Sequence, residues 1–314
     1  LSVFAEEIDN MIVSSADLSN SDKTDGFLKK TKAFTKNDFS GKFLQAGVSE
    51  LTMATIMNGM ALHGGVTVAC GTFFVFSDFM KPAVRMAALQ ELPVKYIWTH
   101  DAFRVGEDGP THQPVEQEAQ IRLMEKLQNH KHKNSLLVLR PADAAETTVA
   151  WKMAMENTDT PTALILSRQG VKDLPTTGSR FEEASLACKG AYIVKDTEGT
   201  PDIILLASGS EVSTLFEGLE LLEKEGIKCR IVSVPSEGLF RTQSAEYQES
   251  VLPRGVKKFG LTAGLPVTLA GLVGTYGYVF GLSSFGYSAP YNVLDDKLGF
   301  TAKNVYQFVM VLVK

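Results

Sequence analysis

Cysteine is scarce in this chain: Cys70, Cys188 and Cys229 are all there is in 314 residues. Their wide spacing fits no zinc ligand set and no Cys-x-x-Cys pair, so a thiol-ligated or disulfide-stapled fold is excluded, and reduced core thiols are expected. An excess of basic charge is also lacking. Lys and Arg number 31 against 36 Asp and Glu, giving a net charge of −5, which argues against a nucleic-acid surface. No basic-then-apolar leader opens the sequence, and a cytoplasmic location is the expectation. Charge of either sign is absent from Phe259 to Leu294. Length alone would let that stretch cross a membrane. Glycines at 260, 264, 271, 274, 277, 281 and 286, together with Pro266, interrupt it. A buried strand, a Gly-rich loop and an internal strand are expected there, with no membrane span.

What is present is a repeating alternation of short apolar runs and amphipathic stretches. With 44% hydrophobic residues over this length, two domains of ordinary size are expected. Strands are predicted at Asn10–Ser14, Val66–Ala69, Val94–Thr99, Leu136–Leu139 and Thr162–Ser167. Helices are predicted at Leu44–Leu62, Ser77–Gln90, Pro114–His130 and Ala142–Glu156. Strands alternating with helices predict a parallel sheet covered on both faces. Lys172–Arg180, with Pro175, Gly178 and a Ser/Thr cluster, reads as a linker. Beyond it the pattern restarts with an apolar strand at Ile203–Ala207, a helix from Gly209 to Gly226 and a strand at Cys229–Val234. The expected architecture is therefore α/β, two parallel-sheet domains at residues 1–180 and 188–314.

The densest chemistry follows the predicted strand Val94–Thr99. His100 and Asp101 close it, and Gly106-Glu107-Asp108-Gly109-Pro110-Thr111-His112-Gln113-Pro114 follows. Two imidazoles and three carboxylates thus fall at and beyond a strand's carboxyl end, where chemistry collects in open parallel sheets. Imidazole trades protons near neutral pH, and a neighbouring carboxylate can accept a hydroxyl proton or fix a tautomer. On composition alone the same loop is equally a solvated acidic turn.

The strings Thr99-His100-Asp101 and Gly106 to Pro114 resemble the signature of the transketolases. These are thiamine-diphosphate enzymes that move two-carbon ketol units between sugar phosphates. The resemblance runs from Ser15-Ala16-Asp17-Leu18 to Gly299-Phe300-Thr301 and matches the C-terminal half of such an enzyme. It implies a pyrimidine-binding domain of the thiamin diphosphate-binding fold followed by a transketolase C-terminal domain. Glu50, in Gly47-Val48-Ser49-Glu50, would contact the cofactor pyrimidine; by itself it is a carboxylate in a helix's first turn, where it suits the dipole. Phe73, Phe76 and Phe79, on one face by their spacing, would enclose the aminopyrimidine; without the resemblance they read as core. Asp17 and Leu18 match a segment near the cofactor. Arg168, His100 and Ser21 match residues that approach the substrate phosphate, Asp108 one that reads a hydroxyl, and His112 one beside the two-carbon fragment. Glu50, His112 and His100 are the catalytic candidates.

The family's metal motif, Gly-Asp-Gly followed about thirty residues on by Asn, is not found in this sequence. No metal ligand is assigned here, and Mg2+ or Ca2+ is expected to be held by an N-terminal transketolase half, the expected partner. Activity is expected only with that half, in a homodimer. Departures from the family pattern are Ser49 for Arg, Leu51-Thr52 after Glu50, Ala102-Phe103-Arg104 where Ser-Ile-Gly is usual, and Leu261-Thr262-Ala263. Arg104 would either block substrate or add a cation. Other members of the cofactor class, such as 1-deoxyxylulose-5-phosphate synthase or the beta subunit of a 2-oxo acid dehydrogenase, are alternatives, as is a non-catalytic interaction protein. His63 reads as a helix-capping residue, and His130-Lys131-His132-Lys133 as a solvated basic end.

Overall fold

A computed structural model describes all residues, Leu1–Lys314. Six parallel strands form the first sheet: β1 Met11–Ser15, β2 Phe43–Gln45, β3 Thr67–Phe73, β4 Lys95–Thr99, β5 Leu137–Leu139 and β6 Thr162–Ile165, ordered β2-β1-β3-β4-β6-β5. The chain reverses its direction of progress across the sheet between β1 and β3, which is where ligands settle in doubly wound folds. Every residue of β4 is buried, as a central parallel strand requires. Alternation sends Tyr96 and Trp98 to one face, stacked at 5.8 Å, with Trp98 stacked on Phe74 at 5.6 Å. Ile97 joins Val13, Phe43 and Ala69 on the other face.

The second sheet comprises β7 Tyr192–Lys195, β8 Ile203–Ala207, β9 Cys229–Ser233, β10 Lys257–Leu261 and β11 Tyr278–Phe280, ordered β11-β10-β8-β9-β7. It is mixed, because β7 pairs antiparallel with β9. That edge strand was not anticipated, and it corrects the purely parallel expectation for this half. In β8, Ile203, Leu205 and Ala207 face one core and Ile204 and Leu206 the other. The first of these cores also takes in Ala102, Phe103, Val115, Ala142 and Leu174. The two halves are thus packed together through apolar residues from the loop after β4 and from the connecting segment.

Several sequence expectations shift. Leu44 lies in β2, not in a helix, because pairing of Phe43 with Val13 overrides local helical spacing. The helix begins at Glu50, after Gly47 adopts φ +69°. The helix expected to reach His130 spans Gln117–Glu125; the Asn129 side chain then accepts from the Lys131 and Lys133 amides and curls the chain back. The uncharged stretch contains β10, a helix at Val267–Val273 and β11, which is an edge strand and not an internal one. No helix is long and apolar enough to cross a membrane. Cys70 and Cys229 are buried as expected, and burial pushes the Cys229 thiol up to about 12; Cys188 is exposed.

Candidate active site

Five strand ends converge at the carboxyl edge of the first sheet. β1 ends at Ser15 and leads to Asp17, Leu18 and Ser21. β2 leads to Glu50, β3 delivers Phe73, β4 delivers His100, and β6 leads to Arg168. Asp17 and His100 have φ of +64° and +62°. Non-glycine residues in this region are uncommon and cost free energy, so the surroundings must hold them there.

Phe73, Phe76 and Phe79 form a ladder. Phe73 and Phe76 stack at 6.1 Å with planes 7° apart, and Phe76 and Phe79 at 6.2 Å. Their backbone is not one helical turn. Phe73 ends β3, Phe76 closes a single 3-10 turn, and Phe79 opens the helix Ser77–Leu89. Phe73 is buried, whereas Phe79 is 61% exposed, so the ladder's outer rung is open to a ligand or partner. Phe73 also organises both imidazoles. His100 stacks on it at 3.6 Å, while His112 stands edge-on to it at 6.2 Å and to Phe76 at 5.5 Å. Each ring has one nitrogen fixed by its preceding threonine: His100 Nδ1 lies 2.9 Å from Thr99 Oγ1, and His112 Nδ1 lies 2.8 Å from Thr111 Oγ1.

Glu50 is buried at 8% exposure at the start of the helix Glu50–His63. Neighbouring hydroxyls turn away from it: Ser49 donates to the Ala46 carbonyl and Thr55 to that of Leu51, both at 2.7 Å. Glu50 is thus a buried carboxyl on the same carboxyl edge of the sheet that carries the aromatic ladder, a donor type that can pair with an aromatic nitrogen. The chain therefore fits the pyrimidine part of thiamine diphosphate. It does not fit the metal: no group of three or more His, Cys, Asp or Glu side chains comes together as ligands.

A cavity of about 290 Å³ opens beside His100, lined by Asn20, Ser21, Lys23, Thr99, His100, Ser167 and Arg168, with no hydrophobic residue among them. The structure thus brings together Ser21, His100 and Arg168. Burial, then the Arg168 charge, lowers His100 to about 4; Asp108 opposes this, while Lys23 and His112 reinforce it. His100 is therefore a neutral imidazole at pH 7, and the charges of Asp108 and His112 are within its reach. Asp108 itself is exposed at the loop surface.

Asp101 does not join the site. It is buried and bound by Arg140, Nη2 at 2.7 Å and Nε at 3.1 Å. Arg104 does not line the cavity beside His100. It too is buried, donating to Glu211 at 2.7 Å, Ser210 at 3.0 Å and Asp295 at 2.8 Å. The loop is held from the second half as well: Ser288 Oγ donates to the Glu107 carbonyl at 2.5 Å, and Gln113 Nε2 to that of Tyr287 at 2.9 Å. The sequence reading missed Lys23, Asn20, Thr99 and Thr111; only their adjacency to assigned residues signalled them. Outside the site, His63 lies 3.4 Å from the Gly64 carbonyl at its helix end, and His130 and His132 are exposed.

An aromatic ladder, two oriented imidazoles and a polar cavity, aligned on a doubly wound sheet's carboxyl edge, define a ligand-binding α/β unit. Residues 1–173 match the family described as transketolase, pyrimidine binding domain, and residues 190–301 the one described as transketolase-like TK C-terminal domain. The chain belongs to the transketolase family. It is 46% identical over 307 residues to a transketolase of Halalkalibacterium halodurans, covering 97% of this chain and 44% of that one. A crystal structure of a Pichia stipitis transketolase in complex with sedoheptulose 7-phosphate superposes with a TM-score of 0.87 at 37% identity, covering 100% of this chain and 44% of that chain. A split-gene transketolase described as an inactive beta4 tetramer shares the fold, with a TM-score of 0.74 at 23% identity over 99% of this chain and 95% of that one. The chain therefore spans about half the length of the curated relatives it matches.

Proposed function

We propose that this chain supplies the pyrimidine-binding and sugar-phosphate-reading part of a transketolase site, active once a diphosphate- and metal-holding domain is joined to it. The observation that carries this reading is the alignment of three compartments through one residue. Phe73 stacks on Phe76 in the aromatic ladder, stacks on His100, and meets the edge of His112, while His100 lines the cavity that holds Arg168. A cofactor ring on the ladder, a two-carbon fragment at the imidazoles and a phosphate in the cavity would then lie in sequence.

Thiamine diphosphate supplies a carbanion that carries the two-carbon unit when it is bound. The chain's residues prepare that chemistry. Glu50, buried at the start of its helix, would meet the pyrimidine ring nitrogen and share a proton with it. Neutral His100, fixed by Thr99, donates one ring N–H. His112, fixed by Thr111, moves a proton at the substrate oxygen nearest the transferred fragment. Asp108 accepts from a sugar hydroxyl, and Arg168 and Ser21 take the phosphate. The Pichia relative bound to a phosphorylated ketose supports this substrate class.

The outer rung of the ladder and its surroundings favour a covering partner. Phe79, Val48 and Leu51 are 61, 81 and 46% exposed, large apolar side chains left open on the elements that carry the ladder and Glu50. The partner is a transketolase N-terminal half, in a two-fold assembly. The test is reconstitution. The chain is mixed with an N-terminal half bearing Gly-Asp-Gly, thiamine diphosphate and Mg2+, and ketol transfer from a ketose phosphate to an aldose phosphate is assayed. Turnover requiring both halves is expected; a stable complex without turnover refutes the reading.

A further inference from the structure

We propose that the second half of the chain carries a separate ligand site, for a small organic phosphate bearing a planar ring, in the cavity between the start of β10 and the turn before β11. The cavity lies at the far end of the second sheet from the imidazole loop. β10 runs away from it toward Leu265, whose amide donates to the carbonyl of Val115, just beyond His112. The proposal does not depend on the sugar-phosphate reading above.

The cavity measures about 430 Å³, within the range of about 300 to 1,000 Å³ of small-molecule sites. Arg254, Lys257 and Lys258 line it, and no carboxylate does. Lys258 is the unusual cation. It is 6% exposed, and its Nζ donates to the carbonyls of Pro253 at 2.7 Å and Val256 at 2.9 Å. Two of its three protons are thereby used, and no counter-charge meets the ammonium. Burying such a charge without an opposite one is costly. Burial lowers this ammonium from its ordinary value, and Glu249, which pairs with Arg254, opposes that only from a distance. The Arg254–Glu249 contact is itself long at 3.5 Å and lies in solvent, so it holds the guanidinium weakly.

The opposite wall supplies backbone donors. Gly274 takes φ +73°, and the Gly277 amide closes the turn on the Gly274 carbonyl at 3.3 Å. A Cβ at Gly277 would meet the Lys258 carbonyl at 2.8 Å and that of Val273 at 2.5 Å, so glycine lets the turn close against β10. Inside this turn the amides of Thr275 and Tyr276 donate to no group of the protein. Successive free amides in a turn form an anion-binding concavity. Leu272 and Val273 add an apolar surface, and Tyr276 at the rim is 84% exposed. A ring that open can stack on a planar ligand. Cations and free amides select an anion, while the ring and the apolar wall select a flat body. A nucleoside monophosphate unites the two, with about 1.5 to 2 negative charges at pH 7.

The experiment uses the chain as it is, labelled with 15N-threonine, and reads the Thr275 amide, assigned with Thr275→Ser. A local reporter is needed because phosphate is also expected beside His100. The probes are AMP, inorganic phosphate and adenosine. AMP is expected to shift Thr275 saturably, phosphate to do so about tenfold more weakly, and adenosine more weakly still. Lys258→Met and Arg254→Gln should each weaken AMP about tenfold, as loss of one short-range charge pair implies. Arg254 is at the surface, so its variant keeps the test valid if Lys258→Met fails to fold. Tyr276→Ala should weaken AMP about tenfold and leave phosphate unchanged. Arg168→Met should leave the Thr275 response as it is, whatever becomes of the cavity beside His100. A Thr275 amide unmoved by AMP and phosphate at millimolar concentration overturns the site. AMP affinity unchanged in Arg254→Gln, or adenosine binding as tightly as AMP, overturns the role of the anion. AMP binding no tighter than phosphate, or unaffected by Tyr276→Ala, overturns the role of the ring.

Discussion

Replacing Arg104 with methionine tests whether the two halves of the chain are clamped through the loop that carries the imidazoles. Methionine keeps an unbranched apolar stem against Phe103 and Phe300, over whose rings the guanidinium now lies at 5.0 and 5.8 Å. What it removes is charge. Arg104 lies between Glu211, fully buried, and Asp295, whose side chain is 23% exposed. Removing one partner of a buried pair costs about 3 to 5 kcal/mol, mostly because the other charge is stranded. Here Glu211 keeps Arg140 at 2.5 Å, and Asp295 can turn part of its carboxylate to water. The expected loss is therefore about 3 kcal/mol, at the low end of that range.

Urea denaturation followed by two probes measures it. Both tryptophans, Trp98 and Trp151, belong to the first half, so fluorescence follows that half while far-ultraviolet circular dichroism follows both. In the wild type the two transitions should coincide. In Arg104→Met the dichroism transition should begin at lower urea than the fluorescence transition, because the second half has lost a clamp. Asp295→Asn added to Arg104→Met should restore part of the loss by removing the stranded charge, a coupling that a double-mutant cycle reads directly. Coincident transitions with a loss under about 0.5 kcal/mol, the size of an ordinary surface substitution, would refute the clamp.

In a reconstituted assembly, Glu50→Gln is expected to lower ketol transfer about a hundredfold or more, as loss of a proton-holding group does. Asp108→Asn should chiefly blur discrimination among donor sugars, and equal losses in the two variants would remove Glu50 from the chemistry. His100 should titrate at about 4 by NMR. Since the folded chain then binds fewer protons than the unfolded chain between about 4 and the ordinary imidazole value near 6.5, stability should rise with pH across that window and be lost as pH falls through it; a His100 titration near 6.5 contradicts its burial against Arg168. Light scattering at micromolar concentration should find a dimer or larger assembly covering Val48, Leu51 and Phe79, and a stable monomer would count against a partner on that rim.

Most of the first sheet was legible because its strands are buried on both faces and its helices are amphipathic, which produces two distinct periods. The errors share one cause. Phe43–Gln45 is three residues long and owes its conformation to β1, so its own sequence carries no strand period. β7 likewise pairs backward at an edge, a direction that side-chain alternation does not encode. The uncharged stretch misled for another reason. Lack of charge reports burial, and a short helix, an edge strand and turns can all be buried or half-buried without it.

The loop from His100 to His112 divides along the same line. Its string identified a family, but residue type alone could not say which carboxylate serves the site and which serves the scaffold. Asp101 and Asp108 differ in neither charge nor reach; they differ in whether an arginine from another strand arrives. Arg140, beyond the end of β5, captures Asp101 together with Glu211 of the second half, and Arg104 binds Glu211 from the other side. Burial works against the charge on Glu211, yet the two arginines hold its carboxyl below the usual range. The arginine that looked like an intrusion into the substrate path therefore extends a buried chain of alternating charges across the seam. That chain anchors Asp101, the residue next to His100, whose backbone φ of +62° needs rigid neighbours to persist. In this structure the second half contributes no side chain to the cavity beside His100; it holds the loop on which His100, Asp108 and His112 are carried.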